Sequence, residues 1–255
     1  MHVIITGAGG FLAAHLDRHL GASGNYNLKL INRSPRPGRD IRCADISRWD
    51  PSWAALFEGA DAVVHLAARR GKGVTWQDMQ QTNVLGTLNV LEAAAQYRLR
   101  RVIFASTSWV MGGHIAGGGR ITPDLEPRPL DAYAISKATG ESLIQSFAEK
   151  HSFSAICFRV GSCHEGEETP AKIEFGRQQK WLSPRDFCHA IERALEAEIP
   201  TFSVFNLTSE IEGSPWDITE TKRALGYTPR DRHRPQREPF NIRLLSYLRR
   251  QLGRV

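Results

Sequence analysis

Short apolar, β-branched runs alternate along this chain with stretches whose apolar residues recur at helical spacing. The first run, Val3-Ile4-Ile5, has no polar residue inside it, as expected of a central parallel strand covered on both faces. Runs at Asn27–Asn32, Ile41–Ile46, Asp61–Ala68, Arg101–Ser108, Ser154–Val160 and Phe202–Asn206 predict further strands. Between them, a helix from Phe11 puts Leu12, Leu16 and Leu20 on one face and is expected to end at Gly21. Trp53–Phe57 predicts a short helix, and Trp76–Tyr97 a long one with Met79, Val84, Leu88, Leu91 and Ala95 on its apolar side and Gly86 as an interior exception. Asp131 can cap the next helix. Ser183-Pro184 opens another that reaches about Ala197, and Thr219–Leu225 and an amphipathic Phe240–Leu252 follow. This alternation predicts an α/β fold with a doubly wound parallel sheet. Two segments interrupt it. Gly112-Gly113 and Gly117-Gly118-Gly119, with Pro123, Pro127 and Pro129 after them, mark a loop of more than twenty residues, functional or mobile, and residues 161–180 are polar and irregular, more like a lid than a framework element.

The turn after the first strand carries the first chemistry. Gly7 lets the backbone reverse sharply, Gly10 lets a pyrophosphate approach the main chain, and small Ala13 lets the following helix pack closely while its free N–H groups face the phosphates. Phe11 and Leu12 open that helix beside the cofactor. The expected fold is therefore Rossmann-type, with a dinucleotide-binding core at 1–160 and a small substrate-binding region at 161–255 that returns one strand, about 202–206, to the sheet. At the end of the second strand an acid normally holds the adenosine ribose. Here Asn32 stands there, followed by Arg33. The amide does not repel a 2′-phosphate and the guanidinium can attract one, so NADP becomes credible beside NAD; a strand-ending Asn-Arg-Ser-Pro turn explains the same residues. Asp45, next to Ile46, is placed to accept from the adenine amino group. Leu66, Ala67 and Ala68 end the fourth strand in small side chains beside which the cofactor can lie. His65, inside an apolar strand, reads as a core residue, and Asn83 either anchors the following segment or reaches the cofactor.

Composition narrows the classes. The chain of 255 residues carries a net charge of +6, but residues 222–255 hold ten Lys/Arg against Asp231 and Glu238, which leaves −2 for the rest. With no zinc-finger or aromatic-basic pattern, a basic tail on a near-neutral body argues against nucleic acid as partner. No run approaches the roughly 18 residues needed to span a bilayer, and Met1 leads straight into a strand rather than a secretory leader. A cytoplasmic protein without membrane contact, acting on a small molecule and possible as a homo-oligomer, is the expectation. Cys43, Cys157, Cys163 and Cys188 show no metal spacing and are expected to be reduced and mostly buried.

The most specific constellation is a hydroxyl cluster, Ser106-Thr107-Ser108, at the end of the fifth strand, followed by Tyr133-Ala134-Ile135-Ser136-Lys137 in the next helix, where Tyr133 and Lys137 share a face. With Thr6-Gly7-Ala8-Gly9-Gly10-Phe11-Leu12-Ala13, His65-Leu66-Ala67-Ala68 and Asn83-Val84-Leu85-Gly86-Thr87-Leu88-Asn89-Val90, the chain resembles the extended short-chain dehydrogenases/reductases from Met1 to about Tyr227. The resemblance implies NAD or NADP as cofactor, Val160 among its contacts, and Thr107, Tyr133 and Lys137 as the catalytic group, Thr107 being found by counting back from Gly112. A phenol with a pKa of about 10 is a poor base at neutral pH. The Lys137 ammonium and the positive nicotinamide are expected to lower it towards its working range, while Thr107 fixes the reacting oxygen.

Within that family the chain is similar to the compact uronate dehydrogenases, through Arg159-Val160-Gly161-Ser162-Cys163, Trp181-Leu182-Ser183-Pro184-Arg185-Asp186-Phe187, Trp216-Asp217 and Leu225-Gly226-Tyr227. This likeness implies oxidation of ring C1 of a small sugar acid to its lactone, with Ser108, Trp109 and Ser162 near the substrate and Arg69 and Arg177 as partners for a carboxylate. Ser108-Trp109 departs from the Asn-His usual in those enzymes, exchanging a polar contact for ring volume, and Asn32 departs from the ribose-binding acid. An epimerase or dehydratase that recycles its cofactor, and a dinucleotide-binding sensor without turnover, remain the alternatives.

Overall fold

The computed structural model describes residues 1–115, 118–163 and 174–235, and shows why the first apolar run is unbroken. Strand β1 (His2–Thr6) lies inside a seven-stranded parallel sheet, and Val3 and Ile5 point to one face and Ile4 to the other, all three without solvent exposure. In chain order there follow α1 (Phe11–Ser23), β2 (Asn27–Asn32), β3 (Ile41–Cys43), α2 (Pro51–Ala54) with a 3-10 turn at Ala55–Phe57, and β4 (Ala62–His65). A long helix comes next, in three parts: α3 (Trp76–Met79), a π-helical turn at Gln80–Leu85, and α4 (Gly86–Gln96). Then come β5 (Arg101–Thr107), a 3-10 turn at Ser108–Met111, α5 (Gly112–Ile115), α6 (Ala132–Lys150), β6 (Ser154–Val160), α7 (Phe175–Gln178), α8 (Pro184–Glu196), β7 (Phe202–Leu207), β8 (Glu210–Ile211), α9 (Thr219–Leu225) and β9 (Arg232–His233).

The sheet order is β3-β2-β1-β4-β5-β6-β7. The order reverses between β1 and β4, and beyond the carboxyl ends of those strands a crevice opens. Two hydrophobic layers cover the faces. On one side Leu16 and Leu20 of α1 and Phe187 and Ile191 of α8 pack on Val3, Ile5, Ile103 and Phe158. On the other, Trp53, Phe57, Leu91 and Ile144 pack on Ile4, Val63, Val102 and Phe104.

The structure corrects several boundaries. Gly21 does not end α1; the helix runs to Ser23, and Gly24, with φ of 70°, closes it in the left-handed region. The third strand stops at Cys43 rather than Ile46, because Asp45 Oδ1 accepts from Ser47 N at 3.1 Å and turns the chain away. The long loop is partly built: Gly112–Ile115 is a helical turn, Arg128 N donates to Val110 O at 2.8 Å, and Ile121 pairs with Trp216. The small parallel pair β8–β9 has two residues in each strand, too few to leave a period in the sequence. The predicted helix at 240–252 and residues 164–173 of the expected lid lie outside the described residues. Cys157, Cys163 and Cys188 are buried and Cys43 is exposed. Among the described residues no helix is long and apolar enough to cross a membrane.

One buried ion pair joins these layers. Arg159 of β6 contacts both carboxylate oxygens of Glu141 on α6, the closest at 3.0 Å, and Ser106 Oγ of β5 donates to the same carboxylate at 2.5 Å. Arg159 also donates to Pro123 O at 3.0 Å, fastening the long loop to the sheet. Replacing Glu141 with Ala strands a guanidinium that is 3% exposed, so Glu141→Ala is expected to lower unfolding stability by about 3–5 kcal/mol in urea titrations. Arg223→Ala, which breaks an exposed pair with Glu220, should leave the urea midpoint unchanged.

Candidate active site

The crevice begins at the glycine turn. Gly7 has φ of 69°, and a Cβ there would lie 2.6 Å from Ala67 Cα, so both the turn and the close passage over the end of β4 require glycine. Gly10 precedes α1 in an extended conformation and has no side chain to cover the helix's free N–H groups. Behind the turn, Thr6 Oγ1 and His65 Nδ1 are 2.6 Å apart, and His65 Nε2 is 3.0 Å from Thr87 Oγ1. With both ring nitrogens engaged and burial pushing its pKa down to about 3, His65 is a neutral core residue.

At the end of β2, Asn32 Nδ2 donates to Ser34 O at 2.8 Å, and Arg33 is exposed beyond it. Two further arginines follow that sequence reasoning missed. Arg36 Nε lies 3.0 Å from where a Cβ on Gly9 would stand, which brings this guanidinium over the glycine turn beside Asn32. Arg39 is held by Asp17 at 2.8 Å and by the carbonyl of Ala8. Their signal was the density of arginine after Asn32. Asp45 is exposed and accepts from Ser47, and Ile46 packs against Gly86. Asn83 is the anchor rather than an open cofactor contact: its Oδ1 accepts from Arg69 N at 2.7 Å, and its Nδ2 donates to Arg69 O at 3.0 Å and to Ser136 Oγ at 2.9 Å.

Thr107, Tyr133 and Lys137 line one cavity of about 530 Å³, together with Gly7, Gly10, Phe11, Leu12, Leu66, Ala68 and Val160. Asp131 caps α6 by accepting from Ala134 N at 2.7 Å, which sets Tyr133 in the first turn and Lys137 one turn on. Lys137 Nζ donates to Ala105 O at 2.7 Å and stands 4.4 Å over the Phe104 ring; burial pushes its pKa down to about 7. Among the neighbouring hydroxyls, Ser106 is committed to Glu141, whereas Thr107 Oγ1 accepts weakly from Trp109 N at 3.3 Å. The expected depression of the Tyr133 pKa is not a property of the protein alone. Burial raises it, Arg70 lowers it and Asp131 raises it. A phenol taken out of water holds its proton until positive charge arrives beside it.

The substrate positions divide. Ser108, Trp109, Ser162 and Arg177 line the same cavity, and Arg177 Nε donates to Ser162 Oγ at 3.2 Å. Arg69 is turned away: its guanidinium meets Asp78 at 2.7 Å, and the cavity is lined by Arg70 instead. The capping box of Thr75 and Asp78 at the start of α3 presents the carboxylate that captures Arg69. Lys180, another lining residue, was missed, because a lysine before an apolar Trp-Leu pair reads as surface.

This geometry agrees with what the chain is similar to. Residues 3–174 match the model of the NAD dependent epimerase/dehydratase family. The chain belongs to that family and is an NAD(P)-dependent enzyme of the extended short-chain dehydrogenase/reductase type. It is 32% identical to an L-arabinose 1-dehydrogenase (NAD(P)(+)) of Haloferax volcanii over 90% of this chain and 96% of that protein. It is 30% identical to the uronate dehydrogenase of Agrobacterium fabrum over 69% of this chain and 64% of that one. A mutant uronate dehydrogenase from Agrobacterium tumefaciens, solved with NAD, superimposes with a TM-score of 0.78 at 25% identity, covering 91% of this chain and 85% of that one.

Lys137 also ties stability to pH. Between its folded pKa of about 7 and the ordinary 10.5, the unfolded chain binds a proton that the folded one does not, so stability falls as pH drops from about 10 towards 7. Lys137→Met should flatten that dependence in urea midpoints at about pH 7 and about pH 9. Lys180, pushed down to about 8, works in the same direction and keeps part of the slope.

Proposed function

We propose that this enzyme is a dehydrogenase that oxidises ring C1 of a small free sugar or sugar acid to the lactone, the reaction class of its uronate and arabinose dehydrogenase relatives. The observation that carries the reading is the meeting of Thr107, Tyr133 and Lys137 in the cavity that continues from the glycine turn. Residues 1–160 would hold the cofactor, and the region from 161 onward would bind the substrate through Ser162 and Arg177. Bound as NAD(P)+, the cofactor supplies the hydride acceptor and a positive charge beside the phenol. Thr107 and Tyr133 hold the C1 hydroxyl, Tyr133 as phenolate takes its proton as the hydride leaves carbon, and Lys137, fixed by its hydrogen bond to Ala105 O, favours the phenolate when charged.

Tyr133→Phe should abolish net nicotinamide reduction while leaving cofactor affinity within about threefold, as read by turnover and by fluorescence titration of the cofactor. A wild type that interconverts nucleotide sugars with no net change in nicotinamide absorbance, and reduces no cofactor with free sugars, would instead make it an epimerase.

The cofactor chemistry leans towards NADP, with dual use. Asn32 does not repel a 2′-phosphate, Arg33 follows it exposed at the end of β2, and Arg36 brings a guanidinium beside Asn32 over the glycine turn. A charge-assisted hydrogen bond of about 1.5–3 kcal/mol gives roughly ten- to a hundredfold in affinity. Arg33→Ala is expected to lose that factor for NADP and leave NAD unchanged. A wild type that prefers NAD by more than about tenfold, with a mutant that holds NADP equally well, would refute the phosphate role.

A further inference from the structure

The cavity holds a cation that the dehydrogenase chemistry does not use. Lys180 is 3% exposed, lines the cavity, and its Nζ has no hydrogen-bond partner among the described residues. Its backbone is fixed: Ser162 N donates to Lys180 O at 2.6 Å, Leu182 N donates back to Ser162 O at 2.9 Å, and the same carbonyl presses on Gly161, where no Cβ could fit. The side chain therefore projects from backbone that is hydrogen-bonded to Ser162, two residues past the end of β6. The ammonium rests 3.6 Å from the centre of the Trp109 ring and 5.9 Å from that of Trp216. Trp109 itself is 45% exposed and begins two residues after Thr107.

An ammonium removed from water and given only ring faces recovers part of its lost hydration and none of its three hydrogen bonds. Burial holds its pKa down, and the charges beside it pull in opposite directions, Arg177 against the ammonium and Asp131 for it. The Asp131 carboxylate is occupied as the cap of α6. Among the described residues that line the cavity there is no Asp or Glu, so none of them competes with a ligand's carboxylate or phosphate oxygen for Lys180.

We propose that Lys180, stored against Trp109, is the specificity-determining residue that receives the anionic oxygen group of a small sugar, a carboxylate or a phosphate. On binding, the anion takes Lys180 Nζ as donor in place of the indole face, and the Trp109 ring is released from the cation. Arg177, already on Ser162, flanks the same group. This rests on the reading of the cavity as the sugar site, and goes beyond it by assigning the substrate's charge to one residue.

Equilibrium binding separates the two readings. With the cofactor present, D-glucuronate and D-glucose 6-phosphate are titrated against D-glucose, following tryptophan fluorescence and heat, in the wild type, Lys180→Met and Lys180→Arg. The wild type should bind one anion roughly ten- to a hundredfold more tightly than glucose, the better anion identifying the group as carboxylate or phosphate. Lys180→Met should lose that margin, leave glucose and cofactor affinity unchanged and abolish the fluorescence change, and Lys180→Arg should keep a margin. In turnover the same loss should appear in KM rather than kcat. Equal margins in wild type and Lys180→Met, with both folded by urea titration, overturn the assignment even if sugars are oxidised. A margin lost in Lys180→Met while no sugar is oxidised sustains the assignment and sinks only the dehydrogenase reading.

Discussion

Glu141 and Arg159 are both buried and face each other across the junction of α6 with the sheet, and the placement of the helix face that carries Tyr133 and Lys137 is referenced to this pair. An unsatisfied charge at either end would be costly, so the helix is free neither to slide along β5 and β6 nor to rotate away from them. Lys137 lies one helical turn before Glu141 and Tyr133 two turns before it, so a slip by a single turn would carry the phenol about 5.4 Å from the hydroxyl of Thr107's strand end. The pair also reaches outward. Through Pro123 O and Leu125 O it holds the long segment that follows Trp109, so that segment and the helix that carries Tyr133 share one anchor.

Charge is distributed unevenly around that anchor. The carboxylate sits behind the strands, satisfied by Arg159 and Ser106, while the cavity in front is lined by Lys137, Arg70, Arg177 and Lys180 and, among the described residues, by no acid. A concave, partly desolvated surface of one sign concentrates its field towards the mouth. Such a cavity suits a dinucleotide whose pyrophosphate enters at α1. Of the charges around Tyr133, the Arg70 guanidinium opposes the upward push of burial and Asp131 adds to it, so the phenol stays raised, and further positive charge beside it would favour the phenolate.

The framework was legible because parallel strands buried on both faces leave unbroken apolar runs, and because Gly7, Gly10, Tyr133 and Lys137 each meet a local requirement that few residue types satisfy. Strand ends were less legible. Ile41–Ile46 is apolar enough to continue, but the Asp45 side chain competes for Ser47 N and wins. Side-chain choices between neighbours were not legible at all: Arg69 and Arg70 are chemically the same, and only the position of Asp78 on the next helix decides which of them faces the cavity. Lys180 was hidden for a similar reason. Its burial depends on Trp109 and Trp216, which are distant in sequence and come together only around the folded site.

The wide helical turn at Gln80–Leu85 has a consequence for anyone wishing to improve this enzyme. It holds one residue more than an α-helix would, and that surplus is what turns Asn83 towards Arg69 and Ser136, whose hydroxyl in turn donates to the Tyr133 carbonyl at 2.8 Å. A chain one residue shorter here would form a more regular helix while cutting the link between the end of β4 and the first turn of α6. Engineering that straightens this helix for regularity therefore removes three hydrogen bonds that tie the strand's end to the helix's start.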